Sequence, residues 1–586
     1  AKIAGCVRSI LGTDVAIDEP LIDAGLDSLS AVELNDAISN AVGIELPSTM
    51  MFDYPSVGAM SDFVVSQIRP RTSGPDTNVT SWRDPVQDVD RRGLIGVIGT
   101  SSRTSRGALQ HDCPVDAITR VPLDRWSLDT SDNNAQVQAR FGSFIVGIDA
   151  FDLDLFNISI TEGLLLDPQQ RMLLDAALEV KCGIATVGSE RSGVTVGISG
   201  NEYGRMADVV SAYTATGGAL SVACGRISYT FSMQGICLAI DTACSSSLVG
   251  SHVAMHSIAN SESDNVTSCG VNVTLSPVTS EMFSKAGMLS KDGRCKTLDA
   301  SADGYVRGEA CVALELRASD KAYPPSLTAG VLIASAVNQD GRSSSLTAPN
   351  GPSQQRTIRS ALQTARIDSS DVDGLEMHGT GTSLGDPIEV GAAHAVLVEN
   401  TVRSAPLALS AAKSCMGHTE PSAGLAGLFC ALRGTNMGSI GGFCHLTQIN
   451  PHLASLTRNA TSSDGVALSL PRQLGAFANH SVQQHNRGVS SFAFQGTNAH
   501  AVTASVTGSD VAVLSRGQTV AWRRERVWHT PLRHPLLQKA YTESAVDVAR
   551  FDVCVTCPAQ THLCDHRVSG RGLPVSYTHL TLPTKA

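Results

Sequence analysis

Residues 236–250 read ICLAIDTACSSSLVG and carry one cysteine, Cys244, between two apolar segments. The run ICLAI before it is short and apolar, which is typical of a buried strand. Apolar residues recur at helical spacing after it, at Leu248 and Met255, which predicts a helix. Cys244 is therefore expected at a strand-to-helix turn, where a helix N-terminus favours the nucleophilic thiolate. An inert core cysteine is the alternative that this stretch alone leaves open.

Composition limits the class of protein. The chain has 586 residues, 42% hydrophobic and 17% charged, which predicts a globular protein of two or more domains. Its net charge of −11 argues against nucleic acid as a partner. No apolar run approaches the roughly 20 residues that a membrane span needs. The 15 scattered cysteines, an odd number, indicate reduced thiols and a cytoplasmic location, with any targeting segment unseen.

The composition changes several times along the chain. Residues 1–69 alternate helix-period apolar stretches with short turns, which predicts a small all-α bundle. Residues 70–92 hold prolines and charges with almost no aliphatic residues, and we expect a linker there. From 93 to 506, short β-type runs alternate with helical patterns, which indicates α/β organisation. The remainder divides into a second linker, a β-like segment and a short tail: residues 507–534, 535–574 and 575–586.

The N-terminal bundle carries a serine motif. DAGLDSLSAVEL, residues 23–34, places Ser28 directly before an amphipathic helix, where a serine is ordinarily only an N-cap. The GLDSL motif, the following helix and the downstream LPSTMMFDYPSVGAMSDFV together resemble an acyl carrier protein, with its first helix truncated. The resemblance implies that Ser28 carries covalent 4'-phosphopantetheine, attached by a phosphopantetheinyl transferase. A helical bundle without a prosthetic group is the alternative.

The α/β region holds two histidines in glycine-rich turns. His378 opens HGTGTSLGDPIEV, and His418 lies in KSCMGHTEPSAGLAG. One thiol and two imidazoles in such turns suit thioester chemistry. With DPQQRMLLD, GRCKTLDASADGYVRGEA and SSFAFQGTNAH, they resemble the β-ketoacyl synthase domain of modular polyketide and fatty acid synthases. The resemblance implies a thiolase-like α/β fold of two similar halves with buried sheets, and a homodimer.

The resemblance also implies the reaction. Cys244 takes an acyl chain from a carrier thiol as a thioester. His378 and His418 bracket a malonyl thioester on a carrier, polarise its carbonyl and promote loss of CO2. The enolate formed attacks the acyl-Cys244 carbonyl in a decarboxylative Claisen condensation. The chain is thus expected to be an acyltransferase that forms carbon–carbon bonds.

Supporting residues follow from the same motifs. Lys413 and Glu389 match a pair that orients His418 and sets the local charge. The backbone N–H groups of Cys244 and Phe494 match an oxyanion hole, where loss of one donor costs about a hundred- to a thousandfold in rate. No metal ion is expected at this site.

Several positions depart from the family pattern, among them Ile236, Ala310, Cys415 and a loop at 493–496. The family's GFGG loop reads AFQG at residues 493–496, and the loss of two glycines predicts a stiffer gate. Cys415 stands where the family usually has asparagine, and we interpret it as a neutral replacement. A nucleotide-binding reading of GLIGVIGTSSRTSRG is rejected, because its glycines follow G-x-x-G-x-x-G and the chain has no lysine-containing phosphate loop.

The C-terminal part resembles the opening of a polyketide dehydratase, a hot-dog fold, through WRRERVW, HPLL and LCDHRVSGRGLP. His566 matches the catalytic base, and the partner aspartate would lie beyond the cut, so the site is incomplete. The alternative is a zinc site, because four residues here are of the types that bind zinc: Cys554, Cys557, Cys564 and His566. The last twelve residues, VSYTHLTLPTKA, resemble a translated sequencing-library adapter and are excluded from the fold.

We therefore interpret the sequence as a segment of a modular (type I) polyketide synthase, in which the carrier delivers an acyl chain to Cys244. Residues 507–534 are too short for an acyltransferase, so malonyl loading is expected in trans or elsewhere in the synthase. Two alternatives stay open. One is a fatty acid or polyunsaturated fatty acid synthase with the same chemistry. The other is a non-elongating ketosynthase that acts as an acyl-transfer scaffold.

Overall fold

The computed structural model describes most of the first 505 residues and parts of the remainder. The described residues are 2–21, 24–26, 28–44, 46, 50–68, 94–107, 115–122, 125–126, 140–182, 191–206, 210–318, 328–454, 456, 467–476, 485–505, 520–528, 539–542, 549–552, 567–568 and 571–572. The predicted linker 70–92, His566, the alternative zinc ligands and the tail 575–586 lie outside them.

The helices are α1 (Lys2–Leu11), α2 (Ser28–Val42), α3 (Met50–Asp53), α4 (Val57–Ile68), α5 (Ile160–Leu165), α6 (Pro168–Cys182), α7 (Ala212–Gly218), α8 (Leu220–Thr230), α9 (Ser246–Ala259), α10 (Pro277–Lys285), α11 (Gly351–Ala365), α12 (Gly385–Leu397), α13 (Lys413–Met416) and α14 (Ala423–Met437). Among these, none combines the length and the apolar character needed to cross a bilayer.

The strands are β1 (Ile95–Thr104), β2 (Thr119–Arg120), β3 (Phe141–Gly142), β4 (Ala150–Phe151), β5 (Ser192–Gly197), β6 (Cys237–Ile240), β7 (Asn265–Asn272), β8 (Ala310–Ala318), β9 (Val331–Gln339), β10 (Val372–Glu376), β11 (Leu407–Ser410), β12 (Ser439–Ile440), β13 (Leu468–Ser469), β14 (Gly475–Ala476), β15 (Asn486–Phe492), β16 (Thr497–Ala504), β17 (Glu525–Arg526), β18 (Lys539–Thr542), β19 (Ala549–Asp552), β20 (Arg567–Val568) and β21 (Arg571–Gly572).

Helices α1 to α4 form a small bundle with its own apolar core. Ile3 and Val7 of α1, Leu34 and Ile38 of α2 and Met60 of α4 are all buried in one cluster. These residues recur three or four positions apart, so each helix presents one apolar face. The apolar spacing in the sequence predicts this arrangement.

The α/β region is built from one mixed sheet of 11 strands, in the order β13-β11-β10-β15-β16-β9-β1-β8-β7-β5-β6. In the first half, β5 pairs in parallel with β6 and β7, while β8 is antiparallel to β7 and β1. In the second half, β10 pairs in parallel with β11 and β15, while β16 is antiparallel to β15 and β9. The two halves therefore repeat one topology, and β1 joins them by pairing with β9. The predicted thiolase-like duplication is confirmed.

Each half is covered on both faces. Along β8, Cys311 and Ala313 join one apolar cluster, whereas Val312, Leu314 and Leu316 join another. The first cluster includes residues of α6 and α8, the second includes residues of α9 and α14, and a third includes residues of α11 and α12. Alternate residues of a strand point to opposite faces, so both faces of these strands are apolar. The helices α9 and α14 thus lie in the middle of the fold.

The stretch WRRERVW packs onto the α/β region, which differs from the expected linker and dehydratase opening. Strand β17 pairs with β4, and Val527 is fully buried in the first apolar cluster. The Arg524 guanidinium lies 3.1 Å from the Asp175 carboxylate of α6. Trp528 meets the ring of Tyr203 at 5.0 Å. Two tryptophans and alternating basic residues suit a segment that packs through its apolar side chains and pairs its charges at the surface.

The segment after residue 538 contributes two short antiparallel pairs, β18 with β19 and β20 with β21. These pairs are compatible with the predicted β-rich start of a further domain. Most of the residues between them, including His566, lie outside the described ranges. The hot-dog fold therefore stays a prediction.

Candidate active site

Cys244 lies where a strand of the first half gives way to a central helix. Strand β6 ends at Ile240, a 3-10 turn spans Ala243–Ser245, and α9 begins at Ser246. Ala243 has φ of +53°, a left-handed conformation that costs a non-glycine residue free energy and is common at functional turns. The Ser246 hydroxyl donates to the Ala243 carbonyl at 2.6 Å and accepts from the Thr242 N–H at 2.9 Å, which holds the turn. The predicted strand-to-helix turn is confirmed.

The start of α9 lies unusually close to the sheet because two strand residues lack side chains. A Cβ on Gly197 of β5 would lie 2.5 Å from the Ser247 backbone nitrogen. A Cβ on Gly270 of β7 would lie 2.8 Å from the Ser247 Cβ. Any side chain at either position would push the helix, and Cys244 with it, away from the sheet.

His418 contacts Cys244 directly. Its Nε2 lies 3.0 Å from the Cys244 Sγ, and its Nδ1 accepts the Glu420 N–H at 3.1 Å. Because Nδ1 is an acceptor, the neutral ring carries its proton on Nε2, which points at the sulfur. The preceding Gly417 has φ of +73°, and the His418 N–H donates to the Val306 carbonyl at 2.7 Å. Backbone contacts on both sides thus fix the ring.

His378 follows β10 in the second half and faces the same space. Its ring centroid lies 5.6 Å from that of His418, at an interplanar angle of 85°. Ring nitrogens of the two histidines and the Cys244 sulfur all lie within 4.8 Å of one another. The Nδ1 of His378 is buried and has no hydrogen-bond partner among the described residues. These three atoms also suit a transition-metal ion in type, so the absence of a metal stays a prediction.

Burial sets the charge state of the three groups. It raises the pKa of the Cys244 thiol to about 12, against the lowering effects of Lys413 and of the Phe494 and Cys244 backbone N–H groups. The expected lowering of this pKa at the helix start is therefore outweighed by desolvation. Burial and then Lys413 hold the pKa values of His378 and His418 well below the usual range. At neutral pH the site holds a thiol and two neutral imidazoles.

The predicted partner of Lys413 is not found in direct contact. The Glu389 carboxylate instead accepts the backbone N–H groups of His378 at 2.6 Å and Gly379 at 2.8 Å. Within the described residues no ion pair of 4.0 Å or less joins Glu389 to Lys413, although each shifts the pKa of the other. Glu389 is the fifth residue of α12, and its carboxylate faces the His378 loop. Glu389 thus positions His378, and its predicted pairing with Lys413 stays a prediction.

The buried Glu389 carboxyl should make the free energy of unfolding depend on pH. Burial raises its pKa from 4.5 to about 8, so the folded chain retains a proton that the unfolded chain releases between these values. Its contribution to the free energy of unfolding should therefore fall by about 1.4 kcal/mol per pH unit as pH rises through this window. Urea unfolding at several pH values should show a shallower pH dependence in Glu389→Gln than in wild type. Equal slopes would contradict the prediction.

A cavity of about 350 Å³ joins these groups to the surface. Its lining includes Cys244, His378, His418 and Phe494. It also includes Tyr305 and Thr382, which the sequence analysis did not single out. The Tyr305 ring meets His418 edge-on at 5.0 Å. Arg307, two residues further, binds the Glu420 carboxylate through Nε at 2.5 Å and Nη2 at 3.0 Å. This ion pair holds the residue whose N–H fixes His418. Both residues lie in the quoted GYVRGEA stretch, but the sequence carried no signal for their pairing.

The AFQG loop is tied to its surroundings by backbone and side-chain contacts. Gly496 has φ of +93° and its carbonyl accepts the Asp340 N–H at 2.9 Å. The Gln339 side chain donates to the Gln495 carbonyl at 2.9 Å. Phe494 lines the cavity with its side chain 44% exposed. The stiffness of this gate stays a prediction.

The side chains of the two remaining predicted residues, Ser28 and His566, are not among those that the structure describes. Ser28 is the first residue of α2, and its side chain lies outside the described part of the structure. His566 lies outside the described residues altogether. The structure thus brings together five predicted site residues around one cavity: Cys244, His378, Glu389, His418 and Phe494.

Three family models match the chain. Residues 1–64 match the phosphopantetheine attachment site. Residues 114–322 match the N-terminal domain of β-ketoacyl synthase, and residues 329–447 match its C-terminal domain. Cys244 falls in the first of these synthase domains, and both histidines fall in the second.

Curated relatives include much longer polypeptides. The chain is 35% identical over 534 residues to the polyketide synthase GfsE of Streptomyces halstedii, which covers 87% of this chain and 14% of the relative. It is 35% identical over 503 residues to the pikromycin polyketide synthase component PikAII of Streptomyces venezuelae, covering 82% of this chain and 13% of the relative. The chain therefore spans a small part of the length of these relatives.

Solved structures give a consistent result. The ketosynthase from module 6 of the bacillaene synthase from Bacillus subtilis 168 aligns with a TM-score of 0.63 at 32% identity, covering 71% of this chain and 72% of that one. The ketosynthase domain OzmH KS7 for oxazolomycin from Streptomyces albus JA3453 aligns with a TM-score of 0.64 at 28% identity, covering 71% and 75%.

Proposed function

The chain belongs to the β-ketoacyl synthases, with a ketosynthase domain homologous to those of modular polyketide synthases and a phosphopantetheine attachment domain, and we propose that Cys244, His378 and His418 extend a carrier-bound acyl chain by decarboxylative condensation. The observation that carries the proposal is the 3.0 Å contact between the His418 Nε2 and the Cys244 Sγ, with His378 within 4.8 Å. Two neutral imidazoles beside one thiol suit the developing negative charge of an enolate.

Each of these groups has a proposed role in the reaction. The Cys244 sulfur attacks the carbonyl of an acyl thioester, and the departing thiol takes the proton. The backbone N–H groups of Cys244 and Phe494 face that sulfur and stabilise the oxyanion. The Nε2–H of His418 and the ring of His378 then bind the malonyl thioester carbonyl, so that charge left by departing CO2 falls on its oxygen. The enolate carbon attacks acyl-Cys244, and the thiolate leaves.

Lys413 and Glu389 set the charge or the position of the reacting groups and are not proposed to react themselves. Lys413 lowers the pKa values of His378 and His418, after burial, and so favours their neutral forms. Glu389 fixes the backbone of the His378 loop through two hydrogen bonds. Both are therefore proposed as positioning residues.

The carrier domain holds its prosthetic group through Ser28. The residues fit this role because Ser28 opens α2 directly after a turn in which Gly25 has φ of +99° and Leu26 is buried. The 4'-phosphopantetheine arm supplies a thiol that presents acyl groups as thioesters. A phosphopantetheinyl transferase is the proposed partner that attaches it, and malonyl loading is proposed to come from an acyltransferase in trans or elsewhere in the synthase.

The carrier is proposed to deliver its acyl group to Cys244 of the same chain. The Asp53 carboxylate of α3 accepts the N–H of Gly351, the first residue of α11, at 3.2 Å. A helix N-terminus favours a negative charge. Pro349, two residues before Gly351, lines the Cys244 cavity, so this contact holds the carrier beside the mouth of the site.

Asp53→Ala should slow acyl transfer from the carrier to Cys244 by about tenfold, the equivalent of one charge-assisted hydrogen bond of about 1.5 kcal/mol. Rapid quenching followed by mass analysis of the Ser28 and Cys244 peptides measures this rate. Asp62→Ala, at an exposed carboxylate of α4, is the matched control and should transfer at the wild-type rate. Equal rates in both variants would show that Asp53 does not contribute to docking.

A homodimer is proposed because β6 forms an edge of the large sheet with apolar side chains in solvent. Leu238 is 42% exposed and Tyr229, in the preceding helix α8, is 88% exposed. Unpaired strand edges with apolar residues are surfaces for pairing with another chain. Leu238→Lys should convert a dimer into a monomer in sedimentation velocity, whereas Val402→Lys, at a side chain that is 95% exposed after α12, should not. A wild-type monomer would contradict the proposal.

The test of the function is intact mass after loading. A pantetheinyl transferase, an acyl thioester and malonyl thioester on a carrier are offered to the purified chain. We expect mass gains at Ser28 and at Cys244, release of CO2 and a β-ketoacyl product. Acylation at Cys244 without product would favour the non-elongating scaffold, and product analysis distinguishes a polyketide from a fatty acid or polyunsaturated fatty acid.

We further propose the domain limits that the sequence predicts, with a carrier at 1–69, a ketosynthase at 93–506 and a dehydratase start at 535–574. The packing of residues 520–528 on the α/β region extends the ketosynthase unit beyond 506. The dehydratase start and its base His566 rest on the sequence resemblance. A cytoplasmic location also stays a prediction.

A further inference from the structure

We propose that Cys415 and Cys444 are a modification site, at which hydrogen peroxide joins the two thiols in an intramolecular disulfide that slows condensation. Their sulfur atoms lie 3.2 Å apart, and both residues are partly exposed. They come from different segments, α13 and the chain after β12. The part of the proposal that concerns rate rests on the proposed function, whereas the bond itself does not.

The surroundings favour a reactive pair. A hydrogen bond from Cys444 lowers the pKa of the Cys415 thiol, with Ser414 adding to the effect against burial. The Ser414 hydroxyl also accepts the Cys444 N–H at 3.3 Å, so the two segments are already joined beside the sulfurs. A second pair, Cys224 with Cys237, is the internal contrast, because burial raises the pKa of Cys224 to about 12 and keeps it protonated.

The chemistry balances with peroxide as the oxidant. The Cys415 thiolate attacks one oxygen of peroxide, the O–O bond breaks, and a sulfenic acid and one water form. The Cys444 sulfur then attacks the sulfenic sulfur, an S–S bond forms, and a second water leaves. Two thiols lose two electrons and two protons, and one peroxide becomes two waters. A reducing dithiol reverses the step.

The bond would move catalytic groups. A disulfide has sulfurs about 2.05 Å apart, so the two must approach by about 1 Å. Cys415 shares a single helical turn with Lys413, and His418 follows within three residues. A displacement of about 1 Å in a positioned group can lower a rate by roughly a hundredfold. Oxidation should therefore lower the condensation rate by about tenfold to a hundredfold.

The experiment uses the full chain with Cys244 first acylated, so that its sulfur is protected from peroxide. After peroxide treatment and digestion, mass spectrometry should find the Cys415 and Cys444 peptides linked and lighter by two hydrogen atoms, before any link between Cys224 and Cys237. The condensation rate should fall and recover with dithiothreitol. Cys444→Ser should retain the wild-type rate under reducing conditions and lose the sensitivity to peroxide.

Three results would overturn the proposal. They are the absence of the linked peptide, a linked peptide with an unchanged rate, and equal peroxide sensitivity in Cys444→Ser and wild type. A reduced chain that forms no ketoacyl product would refute the proposed function alone, since the linked peptide is read by mass.

Discussion

Replacing Cys244 with alanine should abolish condensation while CO2 is still released from a malonyl thioester. Among the described residues that line the cavity, Cys244 is the only thiol, and loss of the nucleophile from a comparable constellation costs about a millionfold in rate. His378 and His418 do not depend on the sulfur for their positions, because Glu389 and Glu420 hold them through backbone hydrogen bonds. The two activities should therefore separate in one variant.

The measurement uses labelled malonyl thioester, with CO2 and ketoacyl product followed in parallel. Cys415→Ala is the matched control, since it removes a thiol three residues from His418 that does not line the cavity. Under reducing conditions, Cys415→Ala should catalyse condensation at the wild-type rate. If Cys244→Ala also stops CO2 release, the histidines cannot work without the sulfur and the division of roles is wrong.

Much of the fold could be predicted from the chain alone. The apolar run before Cys244 and the helical spacing after it predict a strand-to-helix turn. The alternation of β and α patterns predicts the α/β fold class. The same local signals place His378 and His418 in glycine-rich turns before helices. That all three meet at one cavity follows from the repeated topology, which only the paired strands reveal.

Other features depend on distances that sequence spacing does not encode. The pKa of Cys244 depends on burial from every side, so the helix start alone gave the wrong direction. The partner of Glu389 depends on which loop faces this side chain of α12, and that loop carries His378. The proximity of Cys415 to Cys444, 29 residues later, joins segments with no shared motif.

Buried ion pairs also join segments that sequence spacing does not connect. One of them gives the largest expected effect on stability. The Arg125 guanidinium binds both oxygens of the Glu309 carboxylate, with Nε at 3.1 Å and Nη2 at 3.0 Å. The same carboxylate accepts the Ile145 N–H at 2.7 Å and the Thr274 N–H at 2.9 Å. The side chains are 2% and 0% exposed, so three distant segments converge on one charge that water does not reach.

Glu309→Ala should therefore lower the free energy of unfolding by about 3–5 kcal/mol, because it leaves the buried Arg125 without its carboxylate. Urea unfolding of the ketosynthase domain measures this loss of free energy. Glu281→Ala, in a surface pair with Lys285 whose side chains are 43% and 78% exposed, is the matched control and should cost about 0.5 kcal/mol or less. Adding Arg125→Met to Glu309→Ala should recover part of the loss, since it removes the uncompensated charge. If the double variant is no more stable than Glu309→Ala, the penalty comes from the two orphaned N–H groups and not from the guanidinium.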